Sequence, residues 1–77
     1  MINKVKKREI ASGIKSMLPE ISEDEYLKFY SFNQLKVIKS FISAGINLNQ
    51  VKELVKNDFI VANHHEVLRV IFMTNDF

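Results

Sequence analysis

Residues 30–55, YSFNQLKVIKSFISAGINLNQVKELV, predict two amphipathic helices joined at a glycine. Ser31 and Gln34 have the spacing of a capping box, so the first helix is expected to begin at Ser31. An apolar stripe with helical spacing follows, formed by Leu35, Ile38, Phe41 and Ile42. Gly45 suits a left-handed C-terminal cap, which would end this helix.

The second helix of the pair has the same kind of start signal. Asn47 and Gln50 repeat the capping spacing. The next apolar stripe consists of Leu48, Val51, Leu54 and Val55. Because the link 45–47 is so short, the two helices must fold back or cross at a steep angle. The stretch therefore predicts a helical corner.

Two further helices flank this corner. Residues 4–18 predict a helix whose apolar face is Ile10, Ile14, Met17 and Leu18. Pro19 ends it, because the residue before a proline is pushed out of helical geometry. Asn63 and Glu66 mark a last helix, which is apolar almost all round because only Arg69 interrupts the run 67–73. That helix is expected either to lie in the core or to contact another chain.

The segment 20–30 supports two alternatives. Ser22 and Glu25 have capping-box spacing, which favours a helix from Glu23 that runs on toward Ala44. The alternating residues from Tyr26 to Phe32 equally favour a short hairpin or wing near 21–30.

The composition indicates one ordered domain over residues 1–77 of the mainly α class. The chain is 47% hydrophobic and 26% charged, with two glycines and one proline. A single core is barely sufficient at this length, so a homodimer is expected, with Leu68, Ile71 and Phe72 in its interface. Cysteine is absent and no apolar run is long enough for a signal peptide or a membrane span. The protein is therefore expected to be soluble and cytoplasmic, with no membrane partner.

Charge is distributed unevenly along the first third of the chain. The net charge is +2, and basic residues crowd the first segment: Lys4, Lys6, Lys7, Arg8 and Lys15. Acidic residues follow: Glu20, Glu23, Asp24 and Glu25. A basic cluster can neutralise phosphates, although such a run is also typical of a solvated helix face.

The sequence offers no support for catalysis, a metal or a cofactor. His64 and His65 are adjacent, so on a helix they are expected to diverge rather than to meet at one ion. No nucleophile elbow or glycine-rich phosphate loop is present. The protein is not expected to be an enzyme.

Part of the chain resembles a known family of DNA-binding proteins. The residues that carry the likeness are Tyr30, Ser31, Leu35, Ile38, Gly45, Ile46, Leu48, Val51, Leu54 and Val55. From about Met17 to Lys56 the chain resembles the second half of the DNA-binding domain of MerR-like transcription regulators. The resemblance implies a winged helix that binds duplex DNA. It also implies that the residues contacting phosphate are Lys6, Lys7, Arg8 and Lys15 on the first helix and Lys28 in the wing.

Two functions from different classes follow from these observations. The first is a small DNA-binding transcriptional regulator or accessory factor. The alternative is a protein-binding helical module, an adaptor or inhibitor, that docks through its acidic segment or its apolar C-terminal helix. Glu23, Asp24 and Glu25 stand where the family has basic wing residues, and carboxylates beside phosphates oppose binding.

Overall fold

Residues 2–74 fold into a bundle of six helices. The computed structural model describes the backbone of residues 2–74 and the side chains of residues 5–73. The helices are α1 (Ile2–Met17), α2 (Glu23–Phe29), α3 (Phe32–Ser43), α4 (Leu48–Leu54), α5 (Asp58–Ala62) and α6 (His64–Thr74). No strand occurs within this described part of the chain, so the predicted mainly α class is confirmed.

The segment 21–30 contains α2, which confirms the predicted helix start at Glu23 and shows that the hairpin is wrong. The predicted continuation toward Ala44 is also wrong, because α2 stops at Phe29. Ser22 caps the helix by accepting a 3.3 Å hydrogen bond from the Glu25 backbone N–H. Local capping therefore outweighs the alternating pattern that favoured strands.

A complete capping box separates α2 from α3. The Ser31 backbone N–H donates to Gln34 Oε1 at 2.8 Å, and the Gln34 backbone N–H donates to Ser31 Oγ at 3.1 Å. Tyr30 is extended, with φ −118° and ψ 143°. Because the Ser31 N–H is satisfied by a side chain, it does not continue the helical hydrogen bonds of α2. The predicted start of a helix at Ser31 is confirmed.

The predicted corner at Gly45 is also present. Gly45 has a φ of +92°, in the left-handed region, where its lack of a Cβ avoids a steric penalty. Its N–H donates to the Ile42 carbonyl at 2.9 Å, and the Ile46 N–H donates to the Phe41 carbonyl at 3.1 Å. This pair of bonds is a Schellman motif, which closes α3 and turns the chain toward Asn47, the N-cap of α4.

Contacts between side chains define how the first three helices lie. The Lys39 side chain of α3 packs over Gly13 of α1, and Ser43 Oγ of α3 donates to Met17 Sδ of α1 at 3.3 Å. The residues of each pair are 26 positions apart in the sequence, so contacts advance in the same direction along both helices. α1 and α3 are therefore parallel. The α1 residues Lys7 and Lys15 contact Leu27 and Ile21 respectively. From Lys7 to Lys15 the position along α1 advances, while the contacted residue moves back from Leu27 to Ile21. α2 therefore lies antiparallel to α1.

The core lies where α1, α2, α3 and α4 meet. Its buried members are Ile14, Ile21, Tyr26, Leu35, Val37, Ile38, Phe41, Val51 and Val55. The predicted stripes of the corner helices supply most of this cluster, with Ile42, Leu48 and Leu54 packed at its edge. On α6, Val67 and Leu68 pack against the cluster, so the first half of that helix is anchored to the core.

Candidate functional site

Two of the lysines expected to contact phosphate are engaged inside the fold. The Lys7 ammonium donates a 2.8 Å hydrogen bond to the Leu27 carbonyl at the end of α2. The Lys15 ammonium donates to the carbonyls of Pro19 at 3.0 Å and Ile21 at 2.7 Å. Both lysines are half-buried. They stabilise the turn after α1 and the contact of α1 with α2, a role that spacing along the chain does not reveal.

The remaining basic candidates lie at the surface. Arg8 Nη1 is 3.3 Å from Glu23 Oε2, and the two side chains are 63% and 26% exposed, so the pair links α1 to α2 across a solvated edge. Lys6 is exposed. Lys28 is exposed too, with its Nζ 5.6 Å from the centre of the Phe29 ring. Three of the five basic candidates, Lys6, Arg8 and Lys28, therefore stay exposed to solvent.

The residues expected at a homodimer interface divide between the core and the surface. Leu68 packs against the core cluster. Ile71 is half-buried, while Phe72 is 47% and Met73 62% exposed. The apolar side chains of the second half of α6 are thus only partly covered. This exposure is consistent with the expectation that the core of one chain does not bury all the apolar side chains of α6.

A groove of about 440 Å³ separates α6 from the corner, and we name it the α6 groove. Ile71 and Phe72 form one wall, and Ala44, Gly45 and Ile46 form the other, with Gln50 at the edge. The sequence indicated the apolar α6 but not its concave neighbour. The corner glycine leaves space there, since no atom lies within 4 Å of where a Gly45 Cβ would stand.

A second groove, of about 580 Å³, lies on the other side of the corner, and we name it the loop groove. Its apolar lining comes from the end of α1 and from the corner: Met17, Leu18, Ile42, Ile46 and Leu48. Glu20, in the loop after α1, also lines it. The two grooves share Gly45, Ile46 and Asn47, so the corner forms a ridge between them.

Tyr26 carries the one buried side-chain oxygen without a hydrogen-bond partner among the described residues. Its ring is 5.1 Å from that of Tyr30. Burial raises the pKa of the Tyr26 hydroxyl above its usual 10.0, and the nearby Tyr30, Glu20 and Glu25 raise it further. Tyr26 contributes its ring to the core at the expense of an unsatisfied hydroxyl.

The histidine pair does not form part of a metal site in the described residues. The two rings stack, with their centres 4.0 Å apart, so they do not diverge as expected. His64 Nδ1 lies 3.3 Å from the Val61 carbonyl, and the His64 ring meets the edge of Phe41. No group of three metal-ligating side chains occurs between residues 5 and 73.

Comparison with known proteins assigns this chain to no family. No family model, curated protein or solved structure matches this chain significantly. From residue 2 to residue 74, no helix combines the length and the apolar character needed to cross a membrane.

Proposed function

We propose that the protein is a helical protein-binding module that self-associates through the second half of α6 and the Gly45 corner. One observation carries this proposal: an exposed aromatic side chain of α6 lies on the wall of a groove that the Gly45 corner completes. Phe72 is 47% exposed, and it lines the α6 groove together with Ile71 and Ile46. Exposed apolar clusters of this kind are typical of interaction sites.

A second copy of the chain is the occupant that this arrangement favours. A twofold interface uses the same patch on both subunits, so each patch must present both a protrusion and a recess. Phe72 supplies the protrusion, and the groove beside Ile46 supplies the recess. A chain of 77 residues also gains stability by burying this surface, because its own core is small.

The anchoring of α6 suits it to this role. Val67 and Leu68 fix the first half of the helix on the core, so the second half is presented on a folded support. An interface built on a preorganised helix loses less conformational entropy on association than one built on a loose segment.

Sedimentation velocity over a wide concentration range tests the proposal. The wild type should shift from monomer to dimer as concentration rises, and Phe72→Glu should remain monomeric. Phe29→Glu is the matched control, because Phe29 is 68% exposed on α2, away from the α6 groove. A wild type that stays monomeric, or an equal loss of association in both variants, would contradict self-association through this surface.

A second candidate function is binding of duplex DNA, the function that the resemblance to MerR-like regulators implies. Its support is the net charge of +2 together with the exposure of Lys6 and Lys28. Binding to a random duplex should then weaken steeply with salt, and Lys6→Ala with Lys28→Ala should flatten the slope. Absence of duplex binding at low salt would reject this candidate and leave the protein-binding module.

A further inference from the structure

We propose that the loop groove binds an amphipathic helix of a second protein, with the apolar face of that helix in the groove and its basic residues beside Glu20. The inference extends the proposed function from self-association to the capture of a different protein. The two grooves share Gly45, Ile46 and Asn47, so a variant that changes only the α6 side, Phe72→Glu, is needed to separate the two proposals.

The apolar part of the loop groove is held in place by the fold, while Glu20, Ser43 and Asn47 supply a polar part. Leu18, Ile42, Ile46 and Leu48 are partly buried and pack against the core cluster. Met17 closes one end, where its sulfur accepts a 3.3 Å hydrogen bond from Ser43. An apolar recess with fixed walls fits the side chains that repeat at three- and four-residue spacing along one face of a helix.

Helix ends of both polarities meet at this groove. α1 ends at Met17 and α3 ends at Ser43, and the Ser43–Met17 contact brings these two C-termini together. The C-terminus of a helix carries a partial negative charge from its last carbonyls, and the N-terminus carries a partial positive charge. The N-terminus of α4, at Asn47 and Leu48, lines the same groove and offsets part of the negative charge, so Glu20 supplies the full charge that distinguishes this site.

Glu20 adds a full negative charge to the same place. It is exposed and lines the groove, and it forms no ion pair with any residue that the structure describes. The nearest cation along the loop, Lys15, donates instead to the carbonyls of Pro19 and Ile21. Asp24 and Glu25 are explained by their place in the first turn of α2, but Glu20 lies outside any helix and has no such role.

The chemistry of the occupant follows from these features. The apolar part of the groove selects an apolar stripe, and the unpaired Glu20 carboxylate selects lysine or arginine beside that stripe. Opposite charges across an interface accelerate association and disfavour acidic competitors. The fitting partner is therefore a basic amphipathic helix, whereas an acidic helix with the same apolar face is disfavoured.

A pair of model peptides tests the inference directly. The first is a 16-residue helical peptide with leucines on one face and lysines beside them, and the second has glutamate in place of every lysine. The wild type should bind the lysine peptide more tightly, with a preference that declines as salt rises. Amide chemical shifts should change at the residues that line the loop groove but not the α6 groove: Met17, Leu18, Glu20, Ile42 and Ser43.

Charge-matched variants locate the effect. Glu20→Gln should weaken binding of the lysine peptide about two- to fivefold, the range expected for one exposed ion pair. Glu66→Gln removes the same charge from α6, outside the groove, and should leave the affinity unchanged. Both variants should retain the helical circular dichroism of the wild type.

Three outcomes would overturn the inference. They are equal affinity for the two peptides, equal effects of Glu20→Gln and Glu66→Gln, and shift changes centred on residues 70–73. Repeating the titration with Phe72→Glu separates this inference from the proposed function. Peptide binding by that variant supports the loop groove whether or not the wild type dimerises, and loss of binding there contradicts it.

Discussion

Lys7 donates a 2.8 Å hydrogen bond to the carbonyl oxygen of Leu27, an acceptor that a continuous helix would use within its own backbone. In an uninterrupted helix, the Ser31 N–H would donate to Leu27, four residues earlier. That N–H donates to Gln34 Oε1 instead. Lys7 therefore stabilises the break between α2 and α3 from a helix that lies elsewhere in the sequence.

Replacing Lys7 with methionine should lower the free energy of unfolding by about 1 to 3 kcal/mol, because the half-buried Leu27 carbonyl loses a charged donor. Lys6→Met is the matched control, since Lys6 is exposed, and it should change stability by about 0.5 kcal/mol or less. Urea unfolding followed by circular dichroism measures both. Equal effects would show that the Lys7–Leu27 bond contributes nothing to stability.

Tyr26→Phe should stabilise the fold by about 1 to 2 kcal/mol. The substitution keeps the ring in the core and removes a buried hydroxyl that has no partner. Tyr30→Phe alters the neighbouring, half-buried ring and serves as the control. A Tyr26→Phe variant that is less stable than the wild type would mean that the hydroxyl is satisfied in solution.

The raised pKa of Tyr26 predicts a loss of stability at alkaline pH. Below pH 10 the hydroxyl is protonated in both the folded and the unfolded state, so its contribution is constant. Above pH 10 the unfolded chain releases this proton first, because its pKa lies near 10.0 while burial raises the pKa in the folded state. The stability of the wild type should therefore fall relative to Tyr26→Phe as the pH rises above 10. A constant difference between the two proteins would contradict the shift.

The two glycines should respond in opposite directions to alanine. Gly45→Ala forces a side chain into a φ of +92° and should cost about 1 to 2 kcal/mol. Gly13 lies within α1, where alanine is favoured by up to about 1 kcal/mol. Its new Cβ would stand 3.1 Å from Cε of Lys39, the flexible end of an exposed side chain that can move aside. Thermal unfolding of both variants checks the contrast, and a stabilised Gly45→Ala would contradict the proposed cap.

Much of the fold was predictable because its signals are local. The Ser31–Gln34 capping box, the glycine at the corner and the stop before Pro19 all act within a few residues. The short helix α5 was missed although a similar signal marks it. Asn57 Oδ1 accepts hydrogen bonds from the N–H groups of Phe59 and Ile60.

The surfaces were less predictable because they depend on contacts between distant residues. The engagement of Lys7 requires α2 to be in place 20 residues further along the chain, which no spacing along α1 encodes. Neither groove has a sequence signal, because the α6 groove forms where the corner meets α6 and the loop groove forms where the corner meets the end of α1.

The most direct test of the central claim is a dilution series of amide chemical shifts on the wild-type protein. Self-association through α6 and the corner predicts concentration-dependent shifts that cluster at residues 44–50 and 70–73, with residues 5–12 of α1 unchanged. Shifts that do not depend on concentration, or that change along α1 instead, would contradict the account.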